Sequence, residues 1–219
     1  MPSSLLSLAA TTVAISASGA LSPGPLSASA VAVGASLGAL GGLALAVGHT
    51  LFELPYVVVL AKWRSHVRPL LERYSKPMSF AVAAFMAFFA YLVARDAVAI
   101  LLGASAETAT STASPMSVGG ALWTGALLTG LNPYFLLWWL TVGQPLVAGA
   151  VEAGRGGLAL MYLSHVWMDY AWLALLAAGG GVASVLGAGA YGVLLLAVSL
   201  LLAYFAVSFF VSALKPRRL

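Results

Sequence analysis

The chain has 219 residues, of which 62% are hydrophobic and only 7% charged, and its mean hydropathy is +1.01. Such a composition cannot cover a water-soluble core with polar surface, so a polytopic membrane protein is expected. The formal net charge of +4 and the pI near 9.6 reflect basic residues gathered in loops, and no nucleic-acid partner is expected. Without cysteine, neither a disulfide framework nor a thiolate metal site is available.

Six apolar stretches of spanning length run at 4 to 37, 41 to 61, 77 to 102, 118 to 147, 157 to 179 and 189 to 213. Each meets the roughly 20 residues that a helix needs to cross a ~30 Å hydrocarbon layer. No Lys or Arg precedes Lys62, so the first stretch lacks the basic flank of a secretory signal and is expected to be a mature helix. It contains Ser22-Pro23-Gly24-Pro25. Proline has no amide hydrogen and clashes with the preceding turn, and an unbroken helix from 5 to 37 would be about 50 Å long. A broken first helix follows.

The second stretch carries Gly48-His49-Thr50-Leu51-Phe52-Glu53, with Pro55 expected to kink it. His49 and Glu53 are four residues apart and share one helix face. Ionisable groups at bilayer depth are costly and mark a site or pathway. The third stretch holds Arg95 and Asp96, and residues 104–117 form a small Ser/Thr-rich linker. The fourth is interrupted at Leu131-Asn132-Pro133-Tyr134, and the fifth carries Ser164-His165-Val166-Trp167-Met168-Asp169, a second histidine and carboxylate at the same spacing.

The order of motifs repeats: an interrupted helix, a helix with a His and acid pair, then a third helix. Three spans per half give opposite orientations, so the expected fold is all-α, with six transmembrane helices arranged as two inverted three-helix repeats (1–103 and 118–219) and helices 1 and 4 broken. Threading six spans puts Lys62, Arg64, Arg68, Arg73, Lys76, Arg155, Lys215, Arg217 and Arg218 on one side. The positive-inside rule then places both termini in the cytoplasm of a multi-pass cell-membrane protein.

Leu21-Ser22-Pro23-Gly24-Pro25, the small-residue turn from Gly34 to Gly42 and Asn132-Pro133 in an aromatic span resemble the LysE/RhtB family of amino-acid exporters over most of the chain. Tyr134 departs from that family, whose members often carry Lys after Asn-Pro. The resemblance implies a small inner-membrane exporter of amino acids or related solutes, driven by an ion gradient.

The residues suggest a division of labour for a zwitterion by alternating access. Glu53, Asp96 and Asp169 would hold its ammonium or a coupling ion, H+ or Na+, and His49 and His165 would switch protonation. The helix starts at Pro23, Gly24 and Pro25 and at Asn132, Pro133 and Tyr134 would take the carboxylate. Arg95 is expected to pair with Asp96 or Asp169. Packing remains an alternative for the His and acid pairs. So does a divalent cation on His49, Glu53, His165 and Asp169, whose ligand types suit Zn or Mn; metal export is the runner-up. No cofactor is expected, the partners being a small-molecule substrate, the bilayer and, from glycine-rich faces, a second copy. Gly34-Ala35-Ser36-Leu37-Gly38 fits a nucleophile-elbow pattern but lacks its strand-to-helix context, so no enzyme is expected.

Overall fold

The computed structural model describes residues 5–22, 24–103 and 116–214. Pro23, linker residues 104–115 and residues 215–219, with Lys215, Arg217 and Arg218, lie outside them, as do the side chains of Arg64 and Arg68. The described residues contain α-helices and no strand: α1 Leu5–Ala20, α2 Pro25–Leu37, α3 Ala39–Leu101, α4 Val118–Gly130, α5 Pro133–Thr141, α6 Gln144–Glu152, α7 Gly157–Val185 and α8 Ala188–Leu214.

Four helical stretches are long and apolar enough to cross a bilayer: Ala39–Trp63, Lys76–Leu101, Gly157–Val185 and Ala188–Val211. Two bent pairs, α1 with α2 at 73° and α5 with α6 at 46°, raise this to as many as six. The proline rule succeeds at both expected breaks. Chain direction changes between Ala20 and Pro25, and α4 stops at Gly130 so that α5 begins on Pro133. Proline suits the first helical position because an amide there has no intrahelical acceptor. Asn132 stands just before it, and its side-chain oxygen accepts from the Tyr134 amide at 3.0 Å.

Three expectations change. The second and third stretches are joined by helix through 62–76, and the residue of α3 that leaves helical geometry is Trp63 (φ −111°, ψ 21°). Pro55 lies in the first such stretch without leaving helical φ/ψ, because the ring's own φ is compatible with a helix. The fourth stretch is three helices. At 13 residues, α4 spans only about 20 Å, and a second bend near Gly143 separates α5 from α6.

Small residues set how closely the helices approach. A methyl added at Gly48 would overlap the backbone of Leu122, and one at Gly125 would overlap that of Leu45, which locks α3 against α4. The same holds for α2 against α7, where Gly34 meets Ala177 and Gly180 meets Val31. Close backbone contact of this kind stabilises helix pairs in lipid, where apolar burial from water does not. The second spanning part of α3 packs on α8, with Val82, Met86 and Ala90 against Leu202 and Ala206. Together these contacts aim the acidic faces of α3 and α7 at each other.

Candidate functional site

His49 and Glu53 on α3 meet His165 and Asp169 on α7. All four are buried, at 6%, 1%, 2% and 7% exposure. His49 Nε2 lies 3.2 Å from Glu53 Oε1 and 3.9 Å from Asp169 Oδ2. His165 Nε2 lies 3.1 Å from Glu53 Oε1 and 3.3 Å from Asp169 Oδ2. The i,i+4 spacing put each pair on one face, and helix packing brought the two faces together.

The two carboxylates differ in their partners. Glu53 is saturated: Trp139 Nε1 donates to Oε1 at 2.9 Å, Tyr162 donates its hydroxyl to Oε2 at 3.1 Å, and His165 Nε2 faces Oε1 at 3.1 Å. Charge-assisted bonds of this kind are what a buried carboxylate needs to remain ionised. Asp169 Oδ2 is buried and has no hydrogen-bond partner among the described residues.

His49 has a defined tautomeric demand. The Thr129 hydroxyl donates to the Gly125 carbonyl at 2.6 Å. Its only hydrogen is thereby used, so at 2.8 Å from His49 Nδ1 it accepts the Nδ1 hydrogen. That leaves Nε2 buried and facing both carboxylates, within ion-pair distance of Glu53 Oε1 at 3.2 Å. The ring is held edge-on against Phe135, with centroids 5.4 Å apart. His165 is held by Trp139 edge-on at 4.9 Å and by Trp138 in a stack at 5.7 Å.

The cluster lines a cavity of about 70 Å³ that also touches Ser22, Gly24, Leu26, Ser27, Asn132 and Tyr134. That is several times the roughly 10–15 Å³ needed to admit one water. Both helix breaks therefore reach the same space as the four ionisable groups. A methyl placed on Gly24 would sit 4.0 Å from Asn132 Nδ2, so the two breaks face each other. Among the described residues no side chain caps the start of α2, whose first amides have no intrahelical acceptor. Tyr134 instead donates its hydroxyl to the Ser18 carbonyl at 3.2 Å.

Of the residues expected at the site, Gly24, His49, Glu53, Asn132, Tyr134, His165 and Asp169 line this cavity. Pro25 and Pro133 begin the helices beside it, and Pro23 lies outside the described residues. Arg95 and Asp96 are not brought there. Arg95 Nε and Nη2 donate to Asp96 Oδ1 at 3.0 and 2.8 Å, and the two side chains are 61% and 41% exposed. A self-contained pair one residue apart leaves neither group seeking the acids of α3 and α7.

Sequence reasoning missed Tyr162, Thr129 and Trp139. Tyr162 stands three residues before His165 on the same helical face, which was a readable signal. Thr129 is a polar residue one turn before the Asn132 break. For Trp139 no local signal existed, since its partner Glu53 is 86 residues away. Trp167, between His165 and Asp169 in sequence, points away from them: it is 53% exposed and donates to the Ser164 carbonyl.

No curated protein and no solved structure matches the chain. The family model described as LysE type translocator matches residues 17–213. A chain with several apolar spanning helices, matched over nearly its whole length, belongs to that family of membrane exporters of small solutes.

Proposed function

We propose that this exporter carries an amino acid or a similar small zwitterion through the cavity between α2, α3, α5 and α7. The observation that carries the reading is the opposition of two charges' worth of chemistry in one space. Asp169 Oδ2, buried and 3.3 Å from His165 Nε2 but without a hydrogen-bond partner among the described residues, is a receptor for an ammonium group. The uncapped start of α2 and the amide of Asn132 suit a carboxylate. Glu53, held by Trp139, Tyr162 and His165, fixes the site's shape and supplies its negative potential.

The reciprocal packing of α2 on α7 and of α4 on α3 supports two inverted three-helix repeats. In such folds interrupted helices bound the substrate site, and alternating access follows from rocking one repeat against the other. Coupling to H+ or Na+ is consistent with a site that needs a cation when no substrate ammonium is present. The one-sided distribution of Lys62, Arg73, Lys76 and Arg155 supports a multi-pass cell-membrane protein with both termini in the cytoplasm.

Uptake of labelled amino acids into inverted vesicles, with and without an imposed pH gradient, tests the proposal. Gradient-dependent uptake that disappears in Asp169→Asn is the expected result. Full transport by that variant would refute the assignment of the ammonium site.

A further inference from the structure

We infer that His49, Glu53 and Asp169 also form a site for a divalent cation of the first-row transition-metal class, with His165 bracing it from the side. This builds on the proposed reading of the cavity for its consequence, competition with the substrate ammonium, but the binding itself stands on the cluster's geometry alone.

Ligand atoms of these three residues all lie within 4.8 Å of one another. In a tetrahedral shell with bonds of about 2.0–2.2 Å, neighbouring ligand atoms stand about 3.3–3.6 Å apart. The separations of 3.2 Å from His49 Nε2 to Glu53 Oε1 and 3.9 Å from His49 Nε2 to Asp169 Oδ2 bracket that value. Only small side-chain shifts would be needed.

Two of the three atoms, His49 Nε2 and Asp169 Oδ2, are buried beside the cavity with no hydrogen-bond partner among the described residues, their nearest polar neighbours being Glu53 Oε1 at 3.2 Å and His165 Nε2 at 3.3 Å. Thr129 explains the readiness of the first. By accepting the Nδ1 hydrogen it fixes ring orientation and leaves Nε2 as the nitrogen that can bind a metal once deprotonated, which is the second-shell support that metal-binding histidines use. His165 Nε2, 3.1 and 3.3 Å from the two carboxylates, orients both from the opposite side.

Three protein ligands beside a small cavity leave an open coordination position, as exchangeable sites require and closed structural sites do not. An imidazole nitrogen among the ligands favours Zn2+, and two carboxylates beside it also suit Mn2+, over Mg2+ and Ca2+, which take oxygen ligands alone. The ion would stand where the ammonium of a zwitterion approaches Asp169, so the two cannot occupy the site together.

The test uses the purified full chain in detergent, stripped with chelator and titrated calorimetrically with Zn2+, Mn2+, Mg2+ or Ca2+ alone. Expected is a single Zn2+ or Mn2+ per chain, with much weaker Mg2+ and Ca2+ binding. His49→Gln and Asp169→Asn should each weaken binding at least tenfold, and Thr129→Val, which leaves the ligands in place, by roughly 10- to 100-fold. Glu152→Gln, at an exposed helix end, should bind as the wild type does. Elution of each variant as a monodisperse species separates lost ligation from lost folding, and Thr129→Val keeps the test decisive where a ligand variant fails to fold. Absence of stoichiometric metal, equal binding of all four ions, or binding indifferent to both His49→Gln and Thr129→Val would overturn the inference. Metal binding in a protein that moves no amino acid would leave this site standing and remove the zwitterion reading; the converse result would do the opposite.

Discussion

Neutralising the two buried carboxylates should have unequal effects on stability, although each removes one negative charge. In Glu53→Gln the amide nitrogen must replace one oxygen. The Tyr162 hydroxyl can rotate from donor to acceptor, whereas Trp139 Nε1 can only donate, so the amide nitrogen turns toward Tyr162. Trp139 and His165 then keep an oxygen acceptor but lose its charge. A hydrogen bond to a charged group contributes about 1.5–3 kcal/mol and a neutral one about 0.5–1.5 kcal/mol, so two such losses amount to roughly 2–3 kcal/mol. For a chain of this size that corresponds to a Tm lower by about 4–12 °C. Asp169→Asn breaks no hydrogen bond at Oδ2 among the described residues and loses only the charge of its 3.3 Å contact with His165 Nε2, so it should cost less, about 1 kcal/mol. Thermal unfolding in detergent, followed by tryptophan fluorescence, measures both. An unchanged Tm in Glu53→Gln, or an equal fall in Asp169→Asn, would refute the division between an anchored carboxylate and an exchangeable one.

Two further outcomes follow from packing and charge. Gly48→Ala sets a methyl into the Leu122 backbone and should destabilise by about 1–3 kcal/mol through forced helix separation. Gly179→Ala, with no atom within 4 Å of the added methyl, should not lower the Tm, and equal behaviour of the two would show that glycine-mediated approach does not hold the bundle. The double substitution Arg95→Gln with Asp96→Asn should leave vesicle transport within about twofold of wild type, since a free-energy change below ~0.4 kcal/mol is expected at a distant site. A tenfold loss would return that pair to the pathway.

Much of this protein follows from local rules acting on its sequence. Proline chemistry located the breaks before Pro25 and Pro133, apolar length located the spanning segments, and four-residue spacing placed His49 with Glu53 and His165 with Asp169. These properties depend on backbone geometry within a few residues, so they can be read without knowing the neighbours. The continuity of α3 past Pro55 and the second bend near Gly143 were not legible, because a proline's effect and a helix's end depend on what packs beside them. Only the tertiary structure decided which atoms answer each buried charge. Trp139 and Tyr162 reach Glu53 from distant segments, Thr129 takes the proton of His49, and Asp169 is left with an open acceptor. Arg95 and Asp96 look alike in sequence to the groups of the site, yet they close on each other away from it. Helical periodicity sets the face on which a side chain emerges, whereas its partner is set by the helix that close glycine contacts bring against that face.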